Sequence, residues 1–202
     1  MDLVRAIAAK DANAVFRMLE ASPELAVASV DVGATRSDAA TYYLVEINHY
    51  VYAGDTPLHI AAAAHQPELV RALLDLGADV DARNRRGAQP LHYATDGLPD
   101  SDAWDPEGQA AVISALIATG ADPNAKDKSG VAPLHRAVRT RCSPAVRALL
   151  AGGADPEMEN RSGSTPMQLA THATGRGGSG SPDAKAQQAI IVTLLEQHGA
   201  HQ

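Results

Sequence analysis

The stretch from Thr56 to Arg83, TPLHIAAAAHQPELVRALLDLGADVDAR, constrains this chain more than any other, because it encodes two short helices that cannot cover their own apolar faces. Thr56 offers an N-cap hydroxyl, Pro57 takes the first helical position, where a missing N–H costs nothing, and Ile60 to Ala64 continue the helix. The alanines at 61 to 64 leave no bulky side chain, so a neighbouring backbone can approach closely. A second helix opens at Pro67, sets Leu69, Val70, Leu73 and Leu74 on one face, and stops at Gly77, a residue suited to a left-handed exit. Such a unit is stable only when stacked on others.

The others are present. Thr56-Pro-Leu-His59 recurs as Gln89-Pro-Leu-His92, Ala132-Pro-Leu-His135 and Thr165-Pro-Met-Gln168, at offsets of 33, 43 and 33 residues. The exit recurs as Gly77-Ala-Asp79, Gly120-Ala-Asp122, Gly153-Ala-Asp155 and Gly199-Ala200. Period and tetrapeptide together resemble the ankyrin repeat, a β-turn followed by two helices with a TPLH start and a period near 33 residues. The resemblance covers Val51 to the C-terminus. It implies a mainly helical, all-α repeat solenoid forming a single domain. The expected layout is an N-terminal capping repeat at 1–25, an extended hairpin at 26–55, and repeats at 56–83, 84–126, 127–159 and 160–202, the second and fourth with insertions.

Composition agrees. The chain is 45% apolar but only 3% aromatic, so a core of Leu, Ala and Val must be held by stacking rather than by large rings. The N-terminal stretch carries charges at Asp2, Arg5, Lys10 and Asp11 and has no long apolar run, which argues against a leader or a membrane span. Cys142 is the one cysteine and has no internal disulfide partner, which suits a cytoplasmic protein. A net charge of −7 argues against nucleic acid as the partner of the whole surface.

Segment 26–55 spends some thirty residues where a repeat needs only a turn. Ala26 to Val32 and Tyr42 to Tyr52 read as two strands of an elongated β-hairpin, the second alternating Tyr43, Val45, Ile47, His49 and Val51 against Tyr42, Leu44, Glu46, Asn48, Tyr50 and Tyr52. Four of the five tyrosines lie in those eleven residues. They either cover the first repeat or form a recognition patch containing Tyr50 and Tyr52. Further on, the insertions fall between the helices, around Trp104 and around the glycine-rich run 175–181. The distances from Pro67, Pro106, Pro144 and Pro182 to the exit glycines are 10, 14, 9 and 17 residues, so two of the second helices should be longer by about one and two turns.

The middle repeat is cationic. Between Lys126 and Arg147 lie six basic residues and one acid, beside an insertion holding Asp96, Asp100, Asp102, Asp105 and Glu107. These neighbours either neutralise one another or form a basic groove with an acidic, Trp104-bearing flap. The family resemblance implies that partners lie across the finger tips and inner helices, here Arg85, Arg86, Lys128 and Arg161 on fingers and Arg139 on an inner helix. The complement is a partner protein with an acidic segment. A small anion or nucleic acid bound by the middle-repeat arginines is the alternative.

Catalytic and cofactor readings find little support. His59, His92 and His135 occupy equivalent positions about 8–10 Å apart in a stack, too far for one zinc ion with ligands at about 2 Å. The resemblance gives them a structural role with Thr56 and Thr165, bonding the tetrapeptide threonine and adjoining backbone. Gln89, Ala132 and Gln168 break that pattern, so stability is expected to fall toward the C-terminus. The run at 175–181 lacks the lysine of a phosphate-binding loop. Cys142, beside Arg139, Arg141 and Ser143, would have a lowered thiol pKa if those cations reached it, but no base is tied to it by sequence. The reading is a non-enzymatic protein-interaction adaptor without a cofactor or metal.

Overall fold

The computed structural model describes residues 1–99, 101, 104–171 and 182–201. Helices α1 (Asp2–Ala8) and α2 (Ala12–Ala21) form an antiparallel pair, α2 being capped by the Asp11 carboxylate, which accepts from the Ala14 amide at 3.0 Å. Then come the pairs α3 (Pro57–Ala63) and α4 (Pro67–Asp75), α5 (Pro90–Ala94) and α6 (Pro106–Ala118), α7 (Pro133–Arg139) and α8 (Ser143–Ala151), and α9 (Pro166–Thr171) and α10 (Pro182–Gln197). The odd-numbered helices pack in one row and α4, α6, α8 and α10 in a second. Their lengths of 9, 13, 9 and 16 residues bear out the added turns.

Packing follows the repeat. The tetrapeptide position is filled by Leu58, Leu91, Leu134 and Met167, and the outer row by Leu73, Leu116, Leu149 and Leu195, all at most 2% exposed. Burying a leucine fully is worth about 1.5–3 kcal/mol, and the helices carrying these side chains pack on those of adjacent repeats. Leu74, expected on the same face, is only half-buried. Each outer helix ends at a left-handed glycine, Gly77, Gly120, Gly153 or Gly199, with φ between 87° and 107°.

The fingers are Asx turns. Asn84, Asp127 and Asn160 each accept two amides two and four residues on, closing loops that pass through Gly87, Gly130 and Gly163 at φ 72–75°. Neighbouring fingers are joined by backbone bonds, Arg85 N–H to Ala53 O at 2.7 Å and Lys128 N–H to Arg86 O at 2.9 Å.

Segment 26–55 departs from the expected long strands. Its hairpin consists of β1 (Tyr43–Leu44) and β2 (His49–Tyr50), antiparallel, with Tyr43 opposite Tyr50. A 3-10 turn at Val45–Ile47 and a left-handed Asn48 (φ 50°) fold the supposed second strand back on itself. Period-2 burial is therefore lost: Leu44 and Val51 are buried, Tyr42, Ile47, His49 and Tyr52 half-buried, and Val45 is 72% exposed. The first arm does run beside the end of the second, with Val30 bonded to Gly54 and Asp55, and Ala34 to Val51. Gly33 lies where a Cβ would sit 2.5 Å from the Ala53 nitrogen, so only glycine fits this crossing.

Candidate functional site

Beneath the fingers runs a ladder of buried imidazoles. His59 Nδ1 accepts from the Thr56 amide at 3.1 Å, and its Nε2 donates to Ala88 O of the next finger at 3.1 Å. His92 joins Gln89 N–H to Val131 O at 3.2 and 3.1 Å, and His135 joins Ala132 N–H to Ser164 O at 3.2 and 3.3 Å. An acceptor at Nδ1 and a donor at Nε2 define a neutral ring. Burial lowers the pKa of all three, that of His92 to about 3. Without threonine at 89 and 132 the network lacks a hydroxyl, as Thr56 Oγ1 lies 3.0 Å from its histidine, but both ring bonds remain. In the last repeat Gln168 Oε1 accepts from Thr165 N–H at 3.1 Å and takes the place of the ring nitrogen.

The position after each histidine, and after Gln168 in the last repeat, holds a different residue: Ile60, Tyr93, Arg136 and Leu169. Tyr93 is 1% exposed and donates to Asp55 Oδ2 at 2.8 Å while accepting from Asn84 Nδ2 at 2.9 Å. Burial pushes the Asp55 carboxyl pKa up, opposed by donors from Tyr52, Asn84 and Tyr93. The His49 ring lies tilted against Tyr93, with centroids 4.2 Å apart and an interplanar angle of 55°. Arg136 donates to Asp127 Oδ2 at 3.1 Å and to Asp96 Oδ2 at 3.5 Å. Burial works against the Arg136 charge, but the two carboxylates outweigh it and hold the guanidinium ionised. Burial likewise raises Asp127, yet the Val131 amide, Arg136 and the Ser129 amide bring it below the ordinary carboxylate value.

His49, Asn84, Tyr93, Asp96, Asp127 and Arg136 wall a pocket of about 340 Å³ between the fingers at 84–88 and 127–131, the size of a small-ligand site. Arg86 and Arg139 stand at its exposed edge, with Tyr52, Ser129 and Thr140. Arg86 lies over the Tyr52 ring, 4.9 Å from its centroid, and donates to the Tyr52 hydroxyl at 2.8 Å. Neither Arg86 nor Arg139 has an ion pair among the described residues.

The remaining residues singled out in the sequence fall into two groups. Lys128 and Arg161 are exposed on successive fingers, in line with Arg86. Arg85 is turned toward the N-terminal segment instead, donating to Ala34 O and lying 5.4 Å from the Tyr52 ring. Tyr50 is 40% exposed against Tyr43, away from Arg86, while Tyr52 is half-buried between two arginines. Trp104 packs inward on the core and donates to Gln109 Oε1 at 3.1 Å, so its ring is not the free edge of a flap. Asp100, Asp102 and the run 175–181 lie outside the described residues. Cys142 is fully buried, and desolvation pushes its thiol pKa up to about 11, which opposes the reactive-thiolate reading. Sequence reasoning missed His49, Tyr93, Asp55 and Asn84, and counted Arg136 only as one of six cations. The Asn/Asp-x-x-Gly turns at 84, 127 and 160 would have located the fingers.

A sequence profile described as "Ankyrin repeats (many copies)" matches residues 44–94 and 116–170, just over half of the chain. The chain belongs to the ankyrin-repeat family. Similar curated proteins include NF-kappa-B inhibitor alpha of Homo sapiens, 51% identical over 39 residues, which is 19% of this chain and 12% of that protein. NF-kappa-B inhibitor delta of Mus musculus is 53% identical over 47 residues, 23% of this chain and 14% of its own length. Neurogenic locus notch homolog protein 4 of Homo sapiens is 46% identical over 46 residues, 23% of this chain and 2% of that protein. The chain thus spans only a small part of these relatives, and what it shares with them is the repeat. Ankyrin repeats of this kind are protein-interaction modules, and no helix among the described residues is long and apolar enough to cross a membrane.

Proposed function

We propose that this chain is a non-enzymatic adaptor that holds a partner protein across its finger tips and inner helices, and that the contacting segment of the partner is acidic. The observation that carries this reading is a division among the cations. Arg136 is bound to both nearby carboxylates, whereas Arg86, Lys128 and Arg161 on the fingers and Arg139 on α7 are exposed and without an ion pair among the described residues. Unpaired cations on one face steer an oppositely charged partner and raise its association rate. Tyr52 beside Arg86, and Tyr50 on the neighbouring hairpin, add aromatic surface, the residue type that dominates binding hot spots. The single buried thiol is compatible with work in the cytoplasm.

Photo-crosslinking tests the face. p-Benzoylphenylalanine at Ser129 or Ser162, both exposed on fingers, should capture the partner from extract, and the same group at Arg71 on α4 should not. Crosslinks from position 71 with none from the fingers would move the site to the outer row. Capture of nucleic acid in place of protein would favour the anion-binding alternative.

A further inference from the structure

The pocket between the fingers at 84–88 and 127–131 has more hydrogen-bonding capacity than its own residues use. Its two acids are both engaged. Asp127 accepts from Arg136 and from the amides of Ser129 and Val131, and Asp96 lies between Arg136 at 3.5 Å and His49 Nδ1 at 3.8 Å. Arg86 and Arg139 therefore line the cavity with no ion-pair partner among the described residues. His49 lines the same wall, and its Nε2 is buried with no hydrogen-bond partner among the described residues. A buried polar atom left unpaired costs about 1–3 kcal/mol, and its persistence calls for an explanation.

The arrangement has a polarity of its own. Arg136, fixed by Asp96 and Asp127, is a rigid floor that presents little free charge. Arg86 is pre-positioned by its bond to the Tyr52 hydroxyl and by that ring, which reduces the side-chain entropy lost on binding. Arg139 approaches from the helix on the other side. A carboxylate accepts about four hydrogen bonds, and guanidinium groups deliver them in pairs. Formal charge agrees: three arginines against two aspartates leave the pocket one positive charge in excess when His49 is neutral, as its burial requires.

We propose that this pocket is a socket for a single carboxylate side chain of the protein partner, clamped between Arg86 and Arg139. Arg136 acts as a positioning residue for the floor. This rests on the interaction-module reading and narrows it: the acidic segment is recognised by one anchored glutamate or aspartate, not only by diffuse attraction along the fingers.

The test uses the full chain and two probes, N-acetylglutamate N-methylamide and its glutamine counterpart, followed by NMR at the Arg86 and Arg139 side-chain N–H groups and the Ser129 and Thr140 amides. The glutamate probe should give saturable shifts confined to these residues, with the glutamine probe at least about tenfold weaker, and Arg86→Gln and Arg139→Gln should each weaken glutamate binding by about tenfold. Arg71→Gln is the control and should change nothing. Equal response to both probes, shifts that do not saturate, or undiminished binding in Arg139→Gln would overturn the socket. Inorganic phosphate binding the same resonances as tightly as glutamate would replace it with a general anion site. If the socket fails while finger crosslinks persist, the interaction reading stands without it; if glutamate binds but no finger crosslink forms, the pocket is a carboxylate site and its assignment to a protein partner is overturned.

Discussion

The histidine ladder and the arginine pocket lie side by side under the same fingers, yet they are built on opposite principles. Each rung of the ladder is a neutral ring with both nitrogens bonded, repeated in three successive units with the same partners. The pocket uses the neighbouring helical position, which changes from Ile60 to Tyr93 to Arg136 to Leu169, and it leaves cations unpaired. Repetition marks what the stack needs in order to stand. Variation next to it marks where each unit sets its own side-chain chemistry, Tyr93 joined to Asp55 and Arg136 to Asp96 across the stack.

The comparison can be broken at its structural side first. Leu73→Ala in the outer row should lose roughly 2–5 kcal/mol, since Leu73 is fully buried between helices. Urea unfolding measures this, and a loss near zero would mean that the row is not the core. His92→Ala comes next, at about 2–4 kcal/mol, because it leaves the Gln89 amide and the Val131 carbonyl unpaired in the interior as well as opening space. A destabilisation no larger than that of an exposed substitution would show that the ladder is ornamental.

Acid should attack the same element. His59, His92 and His135 have folded pKa values below the ordinary 6.5, as do His49 and His65, so the unfolded chain binds more protons than the folded one below that pH. Their contribution is fully present above pH 6.5 and is lost as pH falls, by up to about 1.4 kcal/mol per pH unit for each ring until its folded pKa is reached. Asp55, whose pKa burial raises, acts in the opposite sense but only as a single group. Urea midpoints at pH 7.5 and 5.5 should therefore differ clearly, and His92→Gln should reduce the difference. A flat profile would contradict the neutral, buried assignment.

Much of the stack was legible in the sequence. Pro67, Pro106, Pro144 and Pro182 with the four exit glycines gave helix lengths to within a residue or two, because proline and glycine act through local backbone geometry that tertiary context rarely overrides. Segment 26–55 was less legible, because alternation of apolar and polar residues from Tyr42 to Tyr52 outweighed Asn48, whose tolerance of the left-handed region reverses the chain there. The pocket was legible only as a cluster of charge. Which arginine is neutralised depends on the approach of Asp96, forty residues before Arg136, and on the rotation of a finger that brings Asp127 beneath it. Sequence spacing holds no record of either distance.

On the functional side of the comparison, small effects are expected. Arg139→Gln should change stability by no more than about 0.5 kcal/mol, because the side chain is exposed and supports no neighbour. A thermal melt checks this, and a large loss would merge the pocket with the scaffold.

The most direct test of recognition by the unpaired cations is the association rate of the crosslinked partner, measured at low and high salt for the wild-type chain and for Arg86→Glu combined with Lys128→Glu. The double variant should stay folded, associate more slowly, by about tenfold or more at low salt, and show a flatter salt dependence, while Tyr52→Ala mainly speeds dissociation. Unchanged association kinetics in the folded double variant would contradict the account.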